Sequence, residues 1–240
     1  MTNPLPSKAK LMIGAVAVAS LCALLVGISE PGHSSWPQFL LLLTAAVLTS
    51  RFKVKLPGLT TTMSGSLPII LLSILHLGLL GSLTIAAAAG IAQSFSSNGA
   101  QAKPAQILFN ACTLMNSSAL GYWAFHTKNI ETSFAAHVLP LVLASIAYFV
   151  ANTTPVAGII ALVDGGNAFS LWHKVFLWSF PNYVIGAGLA AIVSAFSSAA
   201  GWTASAALIA VLFAIHQSYK MYVGRSEQSQ PRAMAMAASR

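Results

Sequence analysis

"LPIILLSILHLGLLGSLTIAAAAGIAQSF", from Leu67 to Phe95, contains no Asp, Glu, Lys or Arg and carries Gly78 and Gly81 near its middle. As one helix it would run about 43 Å at 1.5 Å per residue, well past the roughly 30 Å hydrocarbon core of a bilayer. Two short helices with a glycine turn between them fit better, because glycine breaks a helical pattern and lets the chain reverse. That reading decides the fold, since the number of helices here sets the side on which every later segment emerges.

The rest of the chain has the same character. Of 240 residues, 56% are hydrophobic and only 7% charged, with a mean hydropathy of +0.76, against about 25% charged in soluble domains. A bilayer solvates such side chains and water does not, so the composition predicts an all-α, polytopic transmembrane bundle of about eight helices. Residues 1–223 form one transmembrane domain in this reading, and 224–240 a disordered cytoplasmic tail.

Outward from the opening stretch, "LMIGAVAVASLCALLVGI" (Leu11–Ile28) follows Lys8 and Lys10, and the stretch after it, "SEPGHSSW", lacks an A-x-A cleavage pattern, so the run reads as an uncleaved first span. "WPQFLLLLTAAVLTS" is a short second span ending at Arg51, Lys53 and Lys55, and Leu56–Ser66 is loop chemistry. Beyond the hairpin come spans at Ala105–Phe125 and about Thr132–Val150, the latter with a kink expected at Pro140. Ala151–Gly166, with Pro155, Gly158, Asp164, Gly165 and Gly166, reads as a continuation, a re-entrant segment or a half-helix. "FSLWHKVFLWSF" suits an interfacial helix or the start of a span. Two further spans lie at Pro181–Phe196 and Trp202–Tyr222.

Charge orients this arrangement. The net charge is +8. With a cytoplasmic N-terminus, Lys8, Lys10, Arg51, Lys53, Lys55, Lys103, Lys174, Lys220, Arg225, Arg232 and Arg240 fall inside and only Lys128 outside, as the positive-inside bias requires. A single helix over Leu67–Phe95 would put Lys103 outside. The balance holds for an even number of crossings with a break after Asn152. The inner membrane of a bacterium, with both termini cytoplasmic, is the expected location. Basic residues spread beside apolar runs make no nucleic-acid surface.

Packing is expected to rest on small residues, at "AAAAG" (Ala86–Gly90) and at Gly186, Ala187, Gly188 and Ala190. Polar groups at membrane depth are candidates for function. Asp164, the only acid within an apolar stretch, leads them, with Asn152, Asn167, Asn182, His137, Asn110 and Asn116 as further ligand-binding candidates. For each, the competing reading is structural: a cap at the membrane surface for Asp164, and helix-to-helix bonds for the asparagines and the histidine. No HExxH, CxxC, GxSxG or phosphate-binding glycine loop is present, and four acids leave little room for two-carboxylate or two-metal chemistry. The expectation is a non-enzyme with no cofactor, metal or disulfide.

Two stretches carry a resemblance: "RFKVKLPGLTTTMSGSLPIILLSILHLGLLGSL", and "YFVANTTPVAGIIAL" with the later "HQSYKMYVGR". Over roughly Arg51 to Arg225 the chain resembles the N-terminal membrane sensor regions of bacterial HD-GYP phosphodiesterases, diguanylate cyclases and histidine kinases. That resemblance implies a sensor-like module, either stand-alone or joined to an output domain outside this chain. The proline-glycine-serine hairpin is also similar to the substrate-binding subunits of energy-coupling-factor vitamin transporters, which implies a small-molecule pocket between helices. The leading expectation is a module that binds a small or lipophilic molecule and acts through a protein partner on the cytoplasmic side. A transporter or transporter subunit, and a structural subunit of a membrane complex, are the alternatives.

Overall fold

The computed structural model describes residues 5–30, 35–51, 53–55, 62–95, 103–127 and 135–196, with the backbone alone at 53–55, 62–64, 135–138, 175 and 178. Met1–Ala195 form one compact unit; of a second, Phe196–Arg240, only Phe196 is described. The span expected at Trp202–Tyr222 and the tail lie outside the described residues.

The first unit is helical: α1 (Ser7–Ser29), α2 (Trp36–Ser50), α3 (Leu67–His76), α4 (Leu79–Ser94), α5 (Pro104–Phe125), α6 (Ala135–Asp164) and α7 (Ala168–Leu171). A further helix, α8, covers Phe180–Phe196. Prolines in the first turns of α2, α3 and α5 mark their starts, where a missing N–H costs nothing and the fixed φ suits a helix. The loop expected at Leu56–Ser66 is not wholly irregular. Thr62–Ser64 (β2) pairs antiparallel with Lys53–Lys55 (β1), Val54 opposite Met63, as the β-branched residues Val54 and Thr62 favour. Among the described residues α1 and the stretch Leu139–Asp164 of α6 are long and apolar enough to cross a membrane.

The glycine turn is present. Leu77 and Gly78 are extended between α3 and α4, and Ser82 Oγ donates to the Ser73 carbonyl across the turn at 2.9 Å. At the open end Gln93 Nε2 donates to Ser66 Oγ at 3.1 Å. The start of α3 therefore lies beside the end of α4, and the pair is an antiparallel hairpin. At ten residues, α3 rises only about 15 Å. It is nevertheless the most enclosed helix, with every residue from Ile69 to Ile74 buried.

The break expected after Asn152 is corrected. α6 runs on through Pro140 and Pro155 to Asp164, 30 residues in all, so of the three readings of Ala151–Gly166 continuation holds as far as Asp164. Apolar helices tolerate proline when neighbours re-satisfy the freed carbonyls. The helix stops at Gly165, whose φ of +75° only glycine adopts freely. The N–H groups of Gly165 and Gly166 both return to the Ala161 carbonyl, which closes the last turn. A Cβ at Gly165 would touch nothing within 4 Å, so Gly165→Ala isolates the backbone cost. Thermal unfolding should register a loss of about 1 kcal/mol, and no change would show that the left-handed turn is not needed.

After Asn167 the backbone is helical from Ala168 to Phe196, but unevenly. A π turn spans Trp172–Phe176, the Leu177 N–H reaching five residues back to Trp172, and a 3-10 turn covers Leu177–Ser179. Pro181 accounts for the 3-10 turn, because it cannot donate to the Leu177 carbonyl, which accepts from the Phe180 N–H instead.

Side-chain contacts give the helix directions. Ser20 meets Cys112, and Ala23 packs with Met115 and Ala119, so α1 and α5 are parallel. Met12 covers Gly158, and Gly121 faces Ala144 and Tyr148, so α6 is antiparallel to both. Ser94 meets Asn110 and Ile74 meets Gly121, which makes α3 parallel to α5. Leu67 lies against Gly186, and His76 Nε2 is 2.9 Å from Ser194 Oγ, which makes α8 parallel to α3. Lys8, Lys10, Arg51, Lys103 and Lys174 therefore gather toward one end of this unit, and Glu30 and His126 toward the other. The one-sidedness read from the sequence recurs in the geometry for these residues.

The interior is apolar, with Leu42, Leu71, Leu72, Ile74 and Leu83 fully buried, but the surface is apolar as well. Leu11 is 76% exposed, Ile28 66% and Ile192 60%, with Leu21, Leu25, Leu40 and Ile185 also outward, whereas Ser50, Ser73, Ser82, Ser117 and Ser118 are fully buried. Small residues inside let backbones approach, as the sequence led one to expect at Ala86–Gly90, where Gly90 lies on the α5 backbone; Gly186 instead makes room for the Leu67 side chain. Gly188 has open space around it instead.

Candidate functional site

The seven candidate residues fall in five places. Asn116, on α5, donates to the Val16 carbonyl at 3.0 Å and lies 3.1 Å from Ser20 Oγ, tying α5 to α1. Asn110 donates to Ser94 Oγ at 3.1 Å and ties α5 to α4. Asp164 and Asn167 stand together at the end of α6, both exposed. Asp164 is the last helical residue, and the Asn167 Oδ1 accepts the N–H groups of Phe169 and Ser170, capping α7. His137 lies in the first turn of α6, its side chain outside the described residues. Asn152 and Asn182 belong to the fifth place, where α6 meets α8.

Here the chemistry converges. Asn152 sits within α6, half-buried, and its Nδ2 donates to the Tyr183 hydroxyl oxygen at 2.8 Å. Tyr183, on α8, is only 5% exposed, and its carbonyl accepts from Ser145 Oγ at 3.0 Å. Asn182 precedes it and is half-buried. Phe149, one helical turn before Asn152, is the hub of an aromatic cluster. Its ring lies 4.9 Å from Tyr183 and 5.2 Å from Phe180, both edge to face, and 5.9 Å from Trp172. The indole Nε1 of Trp172 donates to Thr153 Oγ1 at 2.8 Å, which brings the π turn onto α6.

Among the described residues, hydrogen-bonding capacity at this site is left over. The Asn152–Tyr183 bond leaves the phenolic hydrogen, the second amide hydrogen of Asn152 and its carboxamide oxygen without a partner among the described residues. Exchanging the amide's nitrogen and oxygen still leaves both donor and acceptor capacity. Aromatic walls with a few convergent polar groups are the usual make-up of small-molecule sites, and π turns recur at functional positions. What the arrangement offers chemically is a buried aromatic cluster with leftover hydrogen-bond donors and an acceptor at its edge.

Sequence reading named Asn152 and Asn182 but not Tyr183, Phe149, Thr153 or Trp172 as their companions. Part of the signal was there, because Phe149, Asn152 and Thr153 share one face of a helix at spacings of three and four. That Tyr183 and Trp172 meet this face depends on the fold. No family model, curated protein or solved structure matches this chain.

Proposed function

We propose that this chain is a polytopic protein of a bacterial inner membrane, with its basic end in the cytoplasm, that binds a small lipophilic molecule between α6 and α8. It catalyses no reaction in this reading and acts through a protein partner on the cytoplasmic side. The membrane part draws on the outward leucines and isoleucines, the inward serines and the clustering of Lys8, Lys10, Arg51, Lys103 and Lys174 toward one end. A soluble protein would not leave so large an apolar surface uncovered. The binding part is carried by the Asn152–Tyr183 pair, which offers an unused donor and acceptor beside Phe149, Phe180 and Trp172.

The transporter alternative loses the interruption at Asn152 on which it drew, since α6 is continuous there. The structural-subunit alternative draws on Asn116, Asn110 and Gln93, each engaged in a helix-to-helix bond.

The test is mass spectrometry of solvent extracts from protein purified in mild detergent. One retained small molecule per chain is expected, and Asn152→Leu or Tyr183→Phe should each reduce retention roughly tenfold, equivalent to about 1.4 kcal/mol for a lost buried hydrogen bond. Equal retention in both variants removes the site. A stoichiometric protein partner with no small molecule favours the structural subunit. Reporter fusions after Arg51 and Lys174 should report cytoplasm, and fusions after Glu30 the opposite side.

A further inference from the structure

The segment between Gly166 and α8 has two faces. Trp172, Phe176 and Ser179 turn inward, Trp172 bonded to Thr153 and Phe176 and Ser179 buried. Phe169, His173, Lys174 and Leu177 turn outward, Phe169 being 74% exposed. The rings of Phe169 and His173 stand 6.5 Å apart on that outer face. Lys174 lies toward the basic end with Lys8 and Lys10 at the start of α1, and among the described residues no ion pair neutralises any of the three. Asp164 is the one acid nearby in the chain, exposed at the end of α6.

An outward lysine is costly in hydrocarbon, and an outward Phe169 beside Leu177 is unfavourable in water. Both are satisfied where acyl chains meet headgroups, with the lysine reaching up and the apolar groups down. Neutral headgroups leave the lysine uncompensated, whereas an anionic one pairs with it and with the field of Lys8 and Lys10. Resting on the membrane reading above, we propose that the outer face formed by Phe169, His173, Lys174 and Leu177 binds an anionic phospholipid headgroup of the cytoplasmic leaflet. Lys174 and His173 hold the phosphate, and an acyl chain lies along Phe169 and Leu177. The site is separate from the Asn152–Tyr183 pair, because inward and outward residues alternate along the segment.

The full chain in mild detergent is titrated with phosphatidylglycerol, phosphatidylethanolamine or inorganic phosphate, and bound lipid is counted by native mass spectrometry. Phosphatidylglycerol should bind well above phosphatidylethanolamine, and inorganic phosphate should not displace it. Lys174→Gln should weaken phosphatidylglycerol about fivefold, the effect of one lysine at a charged surface, and Phe169→Ser should weaken both lipids. Equal binding of the two lipids, an unaltered Lys174→Gln variant, or displacement by inorganic phosphate overturns the proposal. Alkaline carbonate extraction separates this from the wider reading. A chain released from membranes fails both, and a chain retained without lipid preference fails only this one.

Discussion

Gly90→Ala should destabilise the protein by about 1–3 kcal/mol, read as a lower midpoint of thermal unfolding in detergent. The added Cβ would lie 2.7 Å from Ala111 Cα, 2.9 Å from Ala111 N and 2.9 Å from the Asn110 carbonyl oxygen. All three are backbone atoms of α5, so no rotamer change relieves the contact, and α4 and α5 must move apart. That movement also strains the Asn110–Ser94 bond beside it. Gly188→Ala is the matched control, with nothing within 4 Å of its Cβ and a helix-propensity gain of up to about 1 kcal/mol. Equal midpoints for the two variants would show that α4 and α5 do not meet at Gly90.

Tyr148→Ala is the second large effect. Tyr148 is 2% exposed and lies against Gly121 of α5 and the Tyr183 ring, 6.2 Å away. Aromatic-to-alanine changes in water-soluble cores cost about 3–5 kcal/mol, part of it the return of apolar surface to water. Under the membrane reading proposed above, the separated helices remain in an apolar medium, so the cavity and the lost dispersion contacts dominate. About 2–3 kcal/mol is expected on that basis. Because Tyr148 supports Tyr183, retention of a small molecule should fall together with the unfolding midpoint. Tyr148→Phe, which keeps the ring, should preserve both. A Tyr148→Ala variant with normal stability and normal retention would place Tyr148 outside the supporting wall.

Particular residues show how far the chain can be read directly. The hairpin at Gly78 was legible because its length and its glycines are local facts. So was the gathering of Lys8, Lys10, Arg51, Lys103 and Lys174 toward one end, which follows from counting the reversals between successive helices. The fate of Ala151–Gly166 was not legible. Pro155 argued for interruption, yet the helix passes through it and stops at Gly165, because neighbouring helices decide whether a freed carbonyl is tolerated. The β1–β2 ribbon was hidden too, since three-residue strands carry little periodicity.

The candidate site divides in the same way. Asn152 could be named from its place in an apolar run, as could Asn110 and Asn116, but the sequence treats them alike. The tertiary structure separates them: Asn110 and Asn116 bond across helix contacts, and Asn152 meets Tyr183 beside an aromatic cluster. Chain composition by itself determined the helical class, the glycine turn and the sorting of charge, since each depends on solvation or backbone freedom of residues near in sequence. Only the tertiary structure decided which polar groups face one another, because Asn152 and Tyr183, 31 positions apart, come together only once α6 and α8 are packed.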